Sequence, residues 1–241
     1  NAARMTADLT IAGATERQGS ALIGTDIGVL VSESAAIAAK GADVWIDFTA
    51  PAATLAALDA LKDTPVRAAI IGTTGFEPAQ EAQIAKHAER IALVRSGNFS
   101  LGVNMLAALV KQAAQRLGGA DWDIEVFEAH HRRKVDAPSG TALLLGAAAA
   151  AGRGKPLSDL RIAPYNGVTG PRPEGKIGFS VSRAGGIVGE HEVTFASERE
   201  VVRLSHVALD RAVFADGALA AARWAADKKP GLYSMADVLG L

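Results

Sequence analysis

The segment VWIDFTAPAATLAALDALKDTPVRAAIIGTTG, residues 44–75, decides the fold. Its two apolar runs, at 44–49 and 68–72, are short and nearly free of polar alternation, as expected of strands buried on both faces. Residues 51–62 between them predict a helix with Pro51 in its first turn. The same rhythm extends in both directions. Residues 9–14 predict another buried strand, 34–40 a helix closed by Gly41, 78–90 a helix and 91–94 a fourth strand. Strands and helices that alternate in this way build a parallel sheet with both faces covered.

Beyond residue 102 the rhythm changes. Helices are expected at 104–117 and 141–151 and a strand at 124–129. Segments 176–182, 190–196 and 200–206 alternate apolar and polar residues, with tight glycine turns such as Ala184-Gly185-Gly186 between some of them. That pattern predicts an antiparallel or mixed sheet with one face wet. Helix returns at 214–226. The expected fold is therefore α/β: a Rossmann-type parallel domain over 1–101, completed by 211–241, and an α+β domain with a mixed sheet over 102–210.

Composition narrows the function. Hydrophobic residues make up 49% of the 241 and charged residues 21%, the balance of a globular chain rather than a disordered one. A net charge of -1 means that any attraction for an anionic ligand must be local. Aromatic residues are only 5% and do not interleave with basic ones, which argues against a nucleic-acid surface. Cysteine is absent, so disulfides, thiolate metal sites and a cysteine nucleophile are excluded. No apolar run reaches the roughly 18–20 residues of a membrane helix. The opening residues lack the plan of a secretory leader, and the cytoplasm is the default compartment.

In a doubly wound sheet, ligands lie at the carboxyl ends of the strands. The turns expected there include Thr15-Glu16-Arg17, Gly72-Thr73-Thr74 and Ser96-Gly97-Asn98-Phe99. Glu16 follows what would be the second strand of a dinucleotide-binding unit, where a carboxylate accepts from ribose hydroxyls. Arg17 beside it suits a 2′-phosphate, so both NADH and NADPH stay open, as does a plain solvated Glu–Arg pair. Gly72-Thr73-Thr74 lets backbone approach a flat ring, or is an ordinary strand-to-helix turn. The first strand and its G-x-G-x-x-G turn are not found; only residues 1–5 precede the strand taken as second.

The chemistry concentrates in EAHHRRKVDAPSGTALLLG, residues 128–146. His130 and His131 end a strand and point to opposite sides. Lys134 follows within a short loop. Ser139 is a good N-cap, so the first helical N–H groups belong to Gly140 and Thr141, and such groups attract carboxylates and phosphates. Histidine exchanges protons near neutral pH, and Lys134, crowded by other cations, is placed to give one up. The segment reads as an anion pocket with acid–base groups beside it, for a small ligand with more than one carboxylate. The bland alternative is a solvated basic loop. Metal binding is not expected, because neither a His-x₃-His spacing nor a carboxylate set accompanies the histidines.

Residues 128–142, EAHHRRKVDAPSGTA, resemble the signature of the dihydrodipicolinate reductase family. Supporting similarity lies in Trp45-Ile46-Asp47-Phe48-Thr49, Ile71-Gly72-Thr73-Thr74-Gly75-Phe76, residues 97–104 and Gly185-Gly186-Ile187-Val188-Gly189-Glu190-His191. The resemblance implies that His130 is the catalytic acid–base group and Lys134 the proton donor. It makes His131 a substrate contact and has Gly140 and Thr141 bind a substrate carboxylate. Glu16 and Arg17 become ribose-end contacts of NADH or NADPH, and Gly72, Thr73, Thr74, Ser96, Gly97, Asn98 and Phe99 the turns around the nicotinamide. Arg4 and Met5 resemble the tail of the family's glycine-rich loop, with Ala3 where glycine is expected. The implied reaction is hydride transfer to a cyclic dicarboxylic imine on the route to diaminopimelate and lysine. The domains are expected to close on the bound pair, and the implied assembly is a homotetramer built through the mixed sheet. Two alternatives stay open. Another dehydrogenase of aspartate-derived metabolism is one, although the semialdehyde type needs the cysteine that is missing. The other is a binding protein that keeps only the anion pocket.

Overall fold

The computed structural model describes residues 2–241, which divide into two compact units, one running through Ser100 with Phe214–Gly240 and the other Leu101–Val213. In chain order the first unit starts with a short 3₁₀ turn, Ala2–Met5. Then come β1 (Ala14–Thr15), β2 (Val31–Ser32), α1 (Ala35–Ala38), β3 (Val44–Asp47), α2 (Pro51–Ala60), α3 (Pro78–Ala88) with β4 (Ala68–Ile71) before it, and β5 (Ala92–Arg95). The second unit holds α4 (Leu101–Arg116), β6 (Asp123–His130), α5 (Gly140–Gly152), α6 (Leu157–Leu160), β7 (Ile177–Arg183), β8 (Gly189–Ala196) and β9 (Val201–Ala208). The chain closes with α7 (Ala212–Ala225), β10 (Gly231–Tyr233) and α8 (Met235–Leu239).

The main sheet of the first unit is parallel, in the order β10-β5-β4-β3. All four residues of β4 are buried, which explains its unbroken apolar run. Ala69, Ile71 and Leu93 pack under Leu55, Leu58, Leu61, Ile84 and Ala88. Ala68, Ile70, Ala92 and Val94 pack on Ala218, Ala221, Ala222 and Ala225 of α7. Burying each larger aliphatic side chain contributes about 1.5–3 kcal/mol. Pro51 starts α2, and the Gln80 side chain accepts from the Glu77 N–H at 2.9 Å to begin α3.

Two expectations for this unit fail. Of the strand expected at 9–14 only Ala14 pairs, with Val31, and Thr15 just beyond it pairs with Ser32; Leu9–Gly13 has no neighbouring strand among the described residues. Gly41 does not close α1 in the left-handed conformation. The helix already ends at Ala39, whose N–H bonds Ala35 and Ile37 carbonyls. β3 is the edge of the four-stranded sheet, and Ile46 is 41% exposed there. β10, which extends the opposite edge of that sheet, was not foreseen; three residues carry no readable period.

In the second unit the sheet order is β7-β6-β8-β9, with β6–β7 parallel and the other pairs antiparallel. The Ala184-Gly185-Gly186 turn is therefore not a hairpin. It carries the chain from β7 to β8 across the end of β6, where Ala184 N–H donates to the His130 carbonyl at 2.9 Å and Arg132 N–H to Gly185 at 3.2 Å. Gly185 takes φ 46°, a conformation that favours glycine. Ile124, Val126, Ile177, Phe179, Val193 and Phe195 form the inner face of the sheet and pack on α4 and α5 through Leu106, Val110, Leu145 and Ala149.

Candidate active site

The inner face of β6 changes character along its length. Ile124 and Val126 are core residues, and the next two on the same side are Glu128 and His130. The register of the sheet adds their neighbours. Parallel pairing puts Arg183 of β7 beside His130, and antiparallel pairing puts His191 of β8 opposite Glu128.

Glu128 is completely buried. Its Oε1 accepts from the Ser139 N–H at 2.9 Å and from Arg183 Nη2 at 2.8 Å. Its Oε2 accepts from Arg183 Nη1 at 2.8 Å and lies 2.5 Å from His130 Nδ1. Burial pushes the Glu128 carboxyl up, but the Arg183 fork, the His130 ring and the Ser139 N–H outweigh it and hold the group below its usual range. The same bonds push Arg183 up.

Ser139 caps α5, accepting from Ala142 N–H at 3.2 Å, and its hydroxyl lies 3.2 Å from His191 Nε2. Gly140 is exposed, and a Cβ placed there would meet nothing within 4 Å, so the helix start is open to a ligand. The N–H groups of Gly140 and Thr141 lie at the positive end of the α5 dipole. The His130 and His191 rings meet edge to face at 5.1 Å. Burial, reinforced by His130, pushes His191 down to about 4. His131 is partly buried and is also pushed down, first by desolvation and then by Arg133.

Lys134 does not stand among cations alone: its Nζ pairs with Asp136 Oδ1 at 2.9 Å, because the turn folds the chain back after His131. The Asp136 carbonyl in turn accepts from Arg183 Nη2 at 2.6 Å. A continuous set of contacts thus runs from Lys134 through Asp136, Arg183 and Glu128 to His130. His130, His131, Lys134, Gly140 and Thr141 all belong to this one unit. No group of three or more His, Asp or Glu side chains suited to a metal ion occurs among the described residues.

In the first unit the turns after β4 and β5 lie at the carboxyl ends of adjacent parallel strands. Asp47, 3% exposed, fixes the first of these turns together with the turn after β3. Its Oδ1 accepts from Thr49 N–H at 3.0 Å and from the hydroxyls of Thr49, Thr54 and Thr73 at 2.6, 3.2 and 3.1 Å. The Thr73 side chain is thereby turned inward, and the residue is buried. Gly72 lies under Phe48, whose ring a Cβ would meet at 2.1 Å. Thr74 is exposed, and its Cγ2 would lie 3.7 Å from a Cβ on Gly97. Ser96 donates to the Asn98 carbonyl at 2.6 Å, and Asn98 Oδ1 accepts from Ser100 N–H at 2.8 Å. Phe99 is a core residue, packed edge to face on Phe48 at 5.4 Å, with its carbonyl against Gly217, so its ring serves the core. Glu16 and Arg17 directly follow β1, with the Glu16 carboxylate accepting from Arg17 N–H at 3.1 Å. Arg4 and Met5 end the opening 3₁₀ turn, and Met5 is exposed.

Sequence reasoning assigned no role to Glu128, Arg183, His191, Asp47 or Asp136. The two-residue spacing from Glu128 to His130 on a strand was a visible signal. Arg183 and His191 come from strands more than 50 residues away and needed the register.

Comparison with known proteins agrees along the whole chain. The family model described as "Dihydrodipicolinate reductase, N-terminus" matches residues 1–99, and that described as "Dihydrodipicolinate reductase, C-terminus" matches 102–239. A 4-hydroxy-tetrahydrodipicolinate reductase of Parvibaculum lavamentivorans is 52% identical over 246 residues, covering 98% of this chain and 90% of the relative. That of Caulobacter vibrioides is 54% identical over 233 residues, covering 97% and 88%. The solved dipicolinate-bound dihydrodipicolinate reductase of Paenisporosarcina sp. TG-14 shares the fold at a TM-score of 0.77 with 20% identity, covering 96% of this chain and 90% of its own. With each half matched by the corresponding half of one family, and relatives more than half identical across nearly all of the length, the chain belongs to the dihydrodipicolinate reductase family.

Proposed function

We propose that the protein is an NAD(P)H-dependent 4-hydroxy-tetrahydrodipicolinate reductase serving diaminopimelate and L-lysine synthesis, with the chemistry carried by residues 128–141. The observation that supports this most is that one buried carboxylate, Glu128, bonds both the His130 ring and the N-cap of α5. An acid–base group and a carboxylate-binding helix start are thus joined in a single rigid frame.

In this reading the N–H groups of Gly140 and Thr141 hold one ring carboxylate of the substrate, and His131 contacts the ligand. His130 and Lys134 manage the proton that quenches the charge left by reduction. The cationic loop offsets the substrate's two negative charges and stabilises the electron-rich transition state. His191, held neutral at physiological pH, adds no competing charge next to His130.

The nicotinamide cofactor would supply the hydride. The turns 72–74 and 96–99 fit its ring end, since Asp47 fixes the first through Thr73 and Gly97 places no side chain beside Thr74. Glu16 and Arg17 suit the ribose end. No helix start for the pyrophosphate occurs between Met5 and β2 among the described residues. We also assign the outer face of the mixed sheet, where Phe127, Val201 and Val207 are exposed, to a homotetramer contact.

The test is oxidation of NADH or NADPH, followed by absorbance, on addition of freshly generated cyclic imine. Turnover that requires the imine is expected. Binding of the dicarboxylate without turnover by either cofactor would instead favour a binding protein.

A further inference from the structure

We infer that Glu128 is a positioning residue: a single carboxylate fixes which nitrogen of His130 faces the ligand and sets the separation between that ring and the first turn of α5. The inference rests on the proposed roles of His130 and of Gly140 and Thr141.

An ionised carboxylate accepts only, and has about four lone-pair sites. All four of those on Glu128 are used: two by Arg183, one by the Ser139 N–H and one at His130 Nδ1. The two-pronged Arg183 contact sets the plane of the carboxylate, since a guanidinium fork and a carboxylate match only when coplanar. The plane in turn dictates the direction of the His130 bond. Arg183 is itself tied to the Asp136 carbonyl, so the frame also reaches the loop that carries Lys134.

The protonation pattern of the ring follows. Because Oε2 cannot donate, a neutral His130 must carry its proton on Nδ1, which leaves Nε2 to take up or give a proton. Nε2 lies on the Gly189 side, where a Cβ would come within 3.2 Å of it. The other charged or titratable neighbours of His130 are Arg183 from β7, His191 from β8, and His131 and Lys134 just beyond β6. None of these bonds Nδ1 in the structure. A buried carboxylate is costly unless fully paired. An apolar residue would continue the row of Ile124 and Val126 without that cost, so the ionic group is explained by what it holds in place.

The experiment combines nitrogen-15 NMR of the histidine rings with steady-state kinetics. In the wild-type protein the neutral His130 ring should report the Nδ1–H form. Glu128→Gln puts an amide N–H₂ against one of the donors, so the Nε2–H form should appear and kcat should fall roughly 10- to 100-fold, the range typical of orienting partners. Glu128→Asp should recover part of the wild-type form. A wild-type ring in the Nε2–H form would overturn the inference and needs no variant, so it stands even if Glu128→Gln fails to fold. A Gln variant with wild-type ring form and kcat would overturn it equally. If the wild-type protein does not turn over at all, the functional reading fails, while the ring measurement still decides the role of Glu128.

Discussion

His191 Nε2 lies 3.2 Å from the Ser139 hydroxyl, and the other ring nitrogen, Nδ1, is buried without a hydrogen-bond partner among the described residues. A second proton on this ring has no acceptor waiting for it. Burial, together with His130, accordingly sets His191 at about 4 in the folded chain, below the ordinary histidine value of 6.5. The unfolded chain takes up this proton first, so stability is intact above pH 6.5 and is lost as the pH falls towards 4. At pH 5 the loss is about 2 kcal/mol. His191→Gln should remove most of that loss, seen as a smaller difference in urea midpoint between pH 7 and pH 5. An unchanged difference would mean that His191 protonates freely in the folded protein.

Gly189 gives the His130 ring its room. A Cβ there would lie 3.2 Å from His130 Nε2 and 3.6 Å from His191 Cε1. Gly189→Ala should fold, because its backbone is not in the left-handed region, but it should displace the ring by a few tenths of an ångström. A roughly tenfold fall in kcat is expected from such misplacement, with the circular dichroism spectrum unchanged. Wild-type kinetics would show that Nε2 does not face the reacting atoms.

Lys134 is linked to the frame through Asp136. Lys134→Ala should lower kcat by about 10²–10⁴ if it delivers the proton, with a much smaller change in substrate KM. An equal loss in both, read from saturation curves, would make Lys134 a binding group instead.

Glu16 directly follows β1. Glu16→Ala should weaken NADH more than NADPH in a fluorescence titration, since a carboxylate favours a free 2′-hydroxyl and repels a 2′-phosphate. Equal losses would remove Glu16 from the ribose contact.

Much of this was legible in the sequence because it is local. The run at 68–71 spelled a strand buried on both faces, and Ser139-Gly140 spelled a helix start, each from neighbouring residues alone. What escaped depends on pairings far along the chain. Glu128 looked like one more polar strand residue until β7 supplied Arg183 and α5 supplied the Ser139 N–H. The expectation at 9–14 failed for the same reason in reverse. An apolar run becomes a strand only where a neighbour offers hydrogen bonds, and of that run only Ala14 finds one.

The most direct test of dicarboxylate capture is amide and imidazole NMR during titration with pyridine-2,6-dicarboxylate, a flat, stable analogue of the ring. Saturating shifts should centre on the N–H groups of Gly140 and Thr141 and on the rings of His130 and His131, and should be lost at high salt concentration. Shifts centred elsewhere, with Gly140 and His130 unmoved at saturation, would contradict the assignment of residues 128–141 as the substrate site.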